Sequence, residues 1–109
     1  MNTDGLLVYT TAPDEAIAER LARALVEQSL AACVSRFPGV TSVYRWRGDI
    51  ETAAEVVLMI KTTAEQLEAL KAALAAMHPY DVPEIAVTRI VDGHPPWLEW
   101  LRESTRDLK

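Results

Sequence analysis

Residues 78–84 (HPYDVPE) bring together side chains that could bind a metal ion or a small ligand. A histidine, a tyrosine and two carboxylates alternate with two prolines, and the whole chain has only 2 histidines. Proline fixes its own φ and disfavours helical geometry in the residue before it, so His78 and Val82 are expected to be extended. We therefore predict a rigid connector that holds these side chains in a fixed arrangement. A plain linker between a helix and a strand has the same features, so both interpretations fit this segment.

Two residues are candidate metal ligands by their chemistry alone, His78 and Cys33. The imidazole of His78 suits copper or zinc, although a hydrogen-bonded histidine at the end of a helix fits the same position. Cys33 is either a small packed hydrophobic residue or a thiol for metal or redox chemistry.

Hydrophobic periodicity predicts the elements that position these residues. Strands are predicted over residues 6–10, 31–46, 50–61 and 84–91, with a first helix over about 13–28, a second ending at Met77 and a third opening at Pro95. Thr11 is the predicted N-cap of the first helix, and Thr63 with Gln66 forms a predicted capping box for the second. The order predicts a single α+β, ferredoxin-like domain over residues 1–109. In that fold, β-α-β-β-α-β, four antiparallel strands carry two helices on one face, and here a C-terminal helix follows.

Both faces of the predicted sheet are apolar. Alternation along the third strand puts Val56 and Leu58 on one face and Val57 and Met59 on the other. Two helices cover only one face, and an uncovered apolar face indicates an interaction surface. We therefore predict self-association through the second face and through the long hairpin formed by the second and third strands.

The composition argues against several classes of function. The formal net charge is −5, from 11 basic and 16 acidic residues, which disfavours binding to nucleic acid or to an anionic membrane surface. No apolar run approaches the roughly 20 residues of a membrane helix. The single cysteine fits a cytoplasmic protein. No nucleophile motif or phosphate-binding glycine pattern occurs, so neither an enzyme nor an organic cofactor is predicted.

A series of short motifs resembles the CutA divalent-cation-tolerance family over essentially residues 6–105. The matching motifs are TAPDE at 11–15, LAACV at 30–34, PGVTSVYRWRG at 38–48, KTT at 61–63, HPYDVPEI at 78–85 and WLEWL at 97–101. The resemblance implies a homotrimer, similar in architecture to PII signalling proteins, whose sheets face inward and whose helices face out. It also implies a cytoplasmic role in the tolerance of copper and other divalent cations.

The resemblance also implies a set of copper ligands. The family's proposed ligands are a cysteine in the first strand and two adjacent histidines, and the matching positions here are Thr10, Met77 and His78. Two of the three differ. Met77 remains a candidate ligand, because its thioether suits Cu(I), although it also completes an apolar helical stripe. A threonine hydroxyl replaces a thiolate poorly as a copper ligand. A copper site of the family's composition is therefore not expected to be complete in this chain.

In a trimer of this kind, charged residues of the third strand would meet a neighbouring subunit. They would form either an ion-pair network between subunits or the polar lining of a ligand cleft with aromatic walls. The predicted cleft residues are Tyr44, Trp46, Glu51, Glu55, Lys61, Tyr80 and Glu84.

Three functions fit this sequence. The first is a homotrimer that binds copper or another divalent cation weakly at His78 and nearby carboxylates. The second is a PII-like module whose cleft holds a small anionic or nucleotide-like ligand, with Lys61 and Arg45 supplying positive charge. The third is a scaffold for other proteins without catalysis.

Overall fold

Buried and half-buried side chains alternate along the first strand, as expected for a strand with one face on the core. In a computed structural model that describes residues 3–106, Val8 and Thr10 are fully buried, and Leu7 and Tyr9, which alternate with them, are half-buried. The elements are β1 (Gly5–Ala12), α1 (Glu15–Glu27), β2 (Cys33–Trp46), β3 (Asp49–Thr63), α2 (Leu67–Met77), β4 (Ala86–Arg89) and α3 (Pro95–Ser104). They form one four-stranded sheet in the order β2-β3-β1-β4, and each pair of neighbouring strands is antiparallel. The predicted α+β fold with an antiparallel sheet and a C-terminal helix is confirmed.

The core lies between the sheet and the first two helices. Leu21 and Leu25 of α1 and Leu70 and Leu74 of α2 are completely buried in one cluster with side chains of β1 and β3. Along β3 the residues from Val56 to Thr62 alternate between buried and half-buried, so every second side chain enters this cluster. The other face of β3 carries the predicted apolar residues Val57 and Met59, which keep part of their surface exposed.

The hairpin of β2 and β3 extends beyond the helices. Its strands are 14 and 15 residues long, and they pair from Cys33↔Lys61 out to Trp46↔Asp49. Val43 and Ile50 near its end are 67% and 61% exposed, so this end lies outside the core. A bulge interrupts the register between Phe37 and Val40, where Gly39 has a φ of 78°. The extra residues on β2 at this proline-glycine pair bend the hairpin.

The predicted cap of the first helix is wrong. Asp14, not Thr11, is the N-cap, and its Oδ1 accepts a hydrogen bond of 2.8 Å from the backbone N–H of Ile17. Thr11 lies within β1 because that strand stays paired with β3 as far as Ala12↔Val56. Strand pairing therefore outweighs the preference of threonine for the cap position.

The predicted capping box of the second helix is also wrong. Thr63 makes no side-chain cap hydrogen bond, and a short 3₁₀ turn (Ala64–Gln66) precedes α2. The two side chains instead contact the end of α3: the Thr63 hydroxyl lies 3.2 Å from that of Thr105, and the Gln66 amide donates to the Thr105 carbonyl at 2.8 Å. They hold the C-terminal helix against the sheet. The fourth strand is shorter than predicted, at 4 residues.

No helix within residues 3–106 has the length and apolarity that crossing a membrane requires.

Thr10→Val is expected to stabilise the protein. The Thr10 hydroxyl is buried without a hydrogen-bond partner among the described residues. Removing such a group in a side chain of the same shape should raise the free energy of unfolding by roughly 1–2 kcal/mol. Urea denaturation at a fixed protein concentration measures the change.

Thr62→Val is the matched control for this substitution. Thr62 is equally buried, but its hydroxyl donates to the Leu30 carbonyl at 2.6 Å. Its replacement should lower stability by roughly 1–3 kcal/mol because the carbonyl loses its partner. Destabilisation by both substitutions would contradict the assignment of Thr10 as unsatisfied.

Candidate functional site

His78 ends α2 and begins the rigid connector. Its backbone N–H donates to the Leu74 carbonyl at 3.0 Å, and its φ of −73° and ψ of 137° are extended, as expected before proline. The side chain is only 7% exposed. The connector therefore starts from a buried anchor.

Both ring nitrogens of His78 are engaged by the backbone. Nε2 lies 2.7 Å from the Thr11 carbonyl oxygen, and Nδ1 accepts a hydrogen bond of 3.1 Å from the N–H of Tyr80. The neutral tautomer with its proton on Nε2 satisfies both contacts. Coordination of a metal would require one of these bonds to break. The arrangement favours the hydrogen-bonded interpretation of this histidine.

The other candidate metal ligands do not converge on His78. Met77 packs against the core cluster, and Thr10 is buried within β1. Cys33 pairs with Lys61, whose ammonium group lies 3.6 Å from its Sγ and 2.6 Å from the Ser35 hydroxyl. Within residues 3–106 there is no group of three or more histidine, cysteine or acidic side chains that could hold a metal ion.

A cleft opens beside the connector. Its volume is about 520 Å³, which is within the range of small-molecule sites. It lies between the connector and residues 42–46 and Glu55 of the β2–β3 hairpin. The lining residues are Thr11, Ser42, Val43, Tyr44, Trp46, Glu55, Tyr80, Asp81, Val82 and Glu84.

Five of the seven predicted cleft residues line this cavity: Tyr44, Trp46, Glu55, Tyr80 and Glu84. Glu51 and Lys61 do not. Glu51 pairs with Tyr44 further out on the hairpin and is exposed, and the Lys61 ammonium group is bonded to Ser35. The predicted set lacks Asp81 and Val82, which line the cavity and belong to the same rigid connector. Ser42 has no comparable signal in the sequence, because its position depends on the register across the bulge.

A hydrogen bond between Tyr80 and Glu55 joins the two walls of the cleft. The Tyr80 hydroxyl donates to Glu55 Oε2 at 2.8 Å. The Tyr80 ring also lies against the His78 ring, with centroids 4.7 Å apart. The connector is thus attached to β3 at one point and to β1, through the His78 ring, at another.

Neighbouring hydroxyl groups hold Glu55 in its ionised form. Burial alone would raise the pKa of Glu55, but the hydroxyls of Ser42, Tyr80 and Thr11, of which Tyr80 makes the 2.8 Å hydrogen bond, more than offset it. The net effect is a pKa below the usual 4.5. Burial, and then the bond to Glu55, raises the pKa of the Tyr80 phenol. At neutral pH the protonated phenol of Tyr80 therefore donates its hydrogen bond to an ionised Glu55 carboxylate.

Comparison with known proteins agrees with this architecture. The sequence model of the family described as "CutA1 divalent ion tolerance protein" matches residues 6–104. The "Divalent-cation tolerance protein CutA" of Thermus thermophilus is 46% identical over 91% of this chain and 96% of its own length. "Protein CutA" of Mus musculus is 41% identical over 92% of this chain, which spans 56% of that longer protein. The crystal structure of CutA from Xylella fastidiosa superimposes with a TM-score of 0.93 at 41% identity, over 95% of this chain and all of its own.

The fold and these similarities define a class of small α+β proteins, some of which are named for divalent-cation tolerance. The chain belongs to the CutA1 divalent ion tolerance family. The resemblance inferred from its motifs is confirmed.

Tyr80→Phe should weaken stability most at neutral pH. The pKa of Glu55 in the folded protein lies below its usual 4.5. The ionised carboxylate therefore makes its full contribution to the free energy of unfolding above pH 4.5, and this contribution is lost as the pH falls through the lower pKa of the folded state. The loss of free energy of unfolding on removing the Tyr80 hydroxyl should therefore shrink between pH 7 and pH 3 (roughly the range in which a carboxylate gains its proton). Urea denaturation across this range measures the difference.

Tyr9→Phe provides the comparison for the Tyr80 substitution. Tyr9 lies in β1 and does not line the cleft. Its effect should be independent of pH over the same range. A pH-independent loss in Tyr80→Phe would show that its hydroxyl does not act through the Glu55 carboxylate.

Proposed function

We propose that this protein is a cytoplasmic, non-catalytic homotrimer that contributes to the tolerance of divalent cations, including copper, by binding them weakly. Membership of the family supports the link to divalent cations. The free thiol of Cys33 is in keeping with a reducing compartment.

The main support for assembly into a trimer is the apolar face of the sheet. Val57 and Met59 lie on the side of β3 away from the helical core, and Phe37, which pairs with Val57, is 46% exposed. A contiguous apolar surface of this kind favours association. The exposed end of the hairpin offers a second contact, because its strands extend past the core of their own subunit.

Weak metal binding is best supported at the mouth of the cleft. Asp81 and Glu84 are exposed acidic residues that line it, whereas His78 already has two hydrogen bonds. Two carboxylates completed by water bind a divalent cation less tightly than a full set of protein ligands.

The cleft supports a second function, the binding of a small organic ligand. A cavity with aromatic walls and a few convergent polar groups is typical of such sites. This function does not require the metal to bind.

Val57→Glu should dissociate the assembly. A carboxylate opposite the exposed Phe37 would be desolvated when subunits meet, and Glu55, two residues along the same strand face, would repel it. Light scattering at micromolar concentration should give three times the chain mass of 12.1 kDa for the unmodified protein and a lower mass for the variant.

Val26→Glu is the matched control, because Val26 is 41% exposed on α1 and belongs to the helical side of the molecule. It should leave the mass unchanged. A monomeric unmodified protein would refute the trimer.

His78→Asn should largely retain copper binding, whereas the double change Asp81→Asn and Glu84→Gln should weaken it. The asparagine amide oxygen can accept from the Tyr80 N–H in place of Nδ1 and so keep the connector anchored, while an amide is a much poorer copper ligand than an imidazole. The two exposed carboxylates of the cleft are unchanged in this variant.

Titration of metal-free protein with Cu(II), followed by calorimetry, measures the affinity. Glu51→Gln, an exposed acid outside the cleft, is the control. Loss of binding in His78→Asn, with the fold intact by circular dichroism and with no loss in the double variant, would restore this residue as the ligand.

A further inference from the structure

The charges around the cleft oppose the anionic ligand that the sequence suggested. Three acidic residues line it, Glu55, Asp81 and Glu84, and none of its lining residues within the described part of the chain is basic. The two basic residues expected to supply positive charge are engaged elsewhere. Lys61 bonds to Ser35, and Arg45 donates to the Gly48 carbonyl at 3.4 Å.

The walls of the cleft are aromatic. Tyr44, Trp46 and Tyr80 line it together with Val43 and Val82. The faces of aromatic rings attract cations, and tryptophan does so most strongly. The Trp46 ring already has one such contact within the chain, since the guanidinium carbon of Arg47 lies 5.4 Å from its centroid.

The carboxylate of Glu55 is fixed in place between these walls. It is half-buried on β3 and is held by the Tyr80 hydroxyl at 2.8 Å. A fixed, partly desolvated carboxylate attracts a cation more strongly than one on the open surface, because water screens it less. An ionised carboxylate has about four acceptor sites, so one is left for a donor from a ligand even with the hydroxyls of Tyr80, Ser42 and Thr11 around it.

We propose that the cleft binds an organic ammonium ion with an apolar body, its positive group at Glu55 and its body against Tyr44 and Trp46. Charge complementarity selects the cation, and the volume of about 520 Å³ admits a molecule larger than a metal ion. This inference deepens the small-ligand function and is independent of metal binding.

Three compounds that share an indole ring test the sign of the charge. Tryptamine is a cation at neutral pH, tryptophol is neutral and indole-3-acetate is an anion. Calorimetric titration of the intact assembly, in the presence of a chelator that removes metal ions, gives the three affinities. We expect tryptamine to bind about tenfold more tightly than tryptophol, or about 1.4 kcal/mol, and indole-3-acetate to bind most weakly. Added salt should weaken the binding of tryptamine alone.

Substitutions locate the binding site. Glu55→Gln should reduce the affinity for tryptamine to near that for tryptophol, and the affinity for tryptophol should stay unchanged. Glu84→Gln removes an exposed carboxylate of the same cleft and should give a smaller loss, which keeps the test informative if Glu55→Gln folds poorly. Glu51→Gln, on the same strand but outside the cleft, should change nothing.

Each other outcome refutes the inference in a distinct way. Equal binding of all three compounds would mean that the cleft recognises the ring and not the charge. Preference for indole-3-acetate would mean that the cleft is a small-ligand site that selects anions instead of cations. If none of the three compounds binds, for example because a neighbouring subunit fills the cleft, organic ammonium ions are excluded as its ligands. The copper titration tests the metal function separately.

Discussion

The position of β3 inside the sheet is the constraint on which the rest of the structure depends. This strand pairs with β1 along eight residues and with β2 along almost its whole length, so its register fixes both neighbours. Because side chains alternate across a strand, the same segment supplies Leu58 and Ile60 to the core and Val57 and Met59 to the opposite face. One strand therefore stabilises the single chain and also supplies the apolar surface proposed to contact other subunits.

The site depends on that register and on a second, local constraint. Glu55 pairs with Val40, next to the bulge that shifts β2 against β3, and lines the cleft. Tyr80 meets it because two prolines and the bonds of the His78 ring restrict the connector. The histidine predicted as a metal ligand thus positions a tyrosine, and this tyrosine holds one of the three carboxylates that line the cleft.

Much of this arrangement follows from the sequence, because the patterns involved are periodic or local. The alternation in β3, the stripes of α1 and α2 and the stiffness of residues 78–84 are properties of neighbouring residues. The errors concern contacts between distant parts of the chain. Thr63 and Gln66 have the spacing of a capping box, but Thr105, far along the chain, offers them better partners. Lys61 shares a strand face with Glu55, yet Ser35 on the neighbouring strand holds its ammonium group away from the cleft. Periodicity indicates the face on which a residue lies and carries no information about the partner it meets there.

The ring of His78 gives the molecule a built-in spectroscopic reporter. One of its nitrogens accepts from the backbone of Tyr80, whose hydroxyl contacts the carboxylate in the cleft, and the other meets the carbonyl of Thr11, which also lines the cleft. Any occupant that displaces either wall changes the hydrogen bonds of this imidazole, and ¹⁵N resonances of histidine respond directly to such bonds. Since the chain has only 2 histidines and His94 lies at the start of α3, the signal can be assigned with a single substitution. Occupancy of the cleft is therefore readable in solution without a label on the ligand.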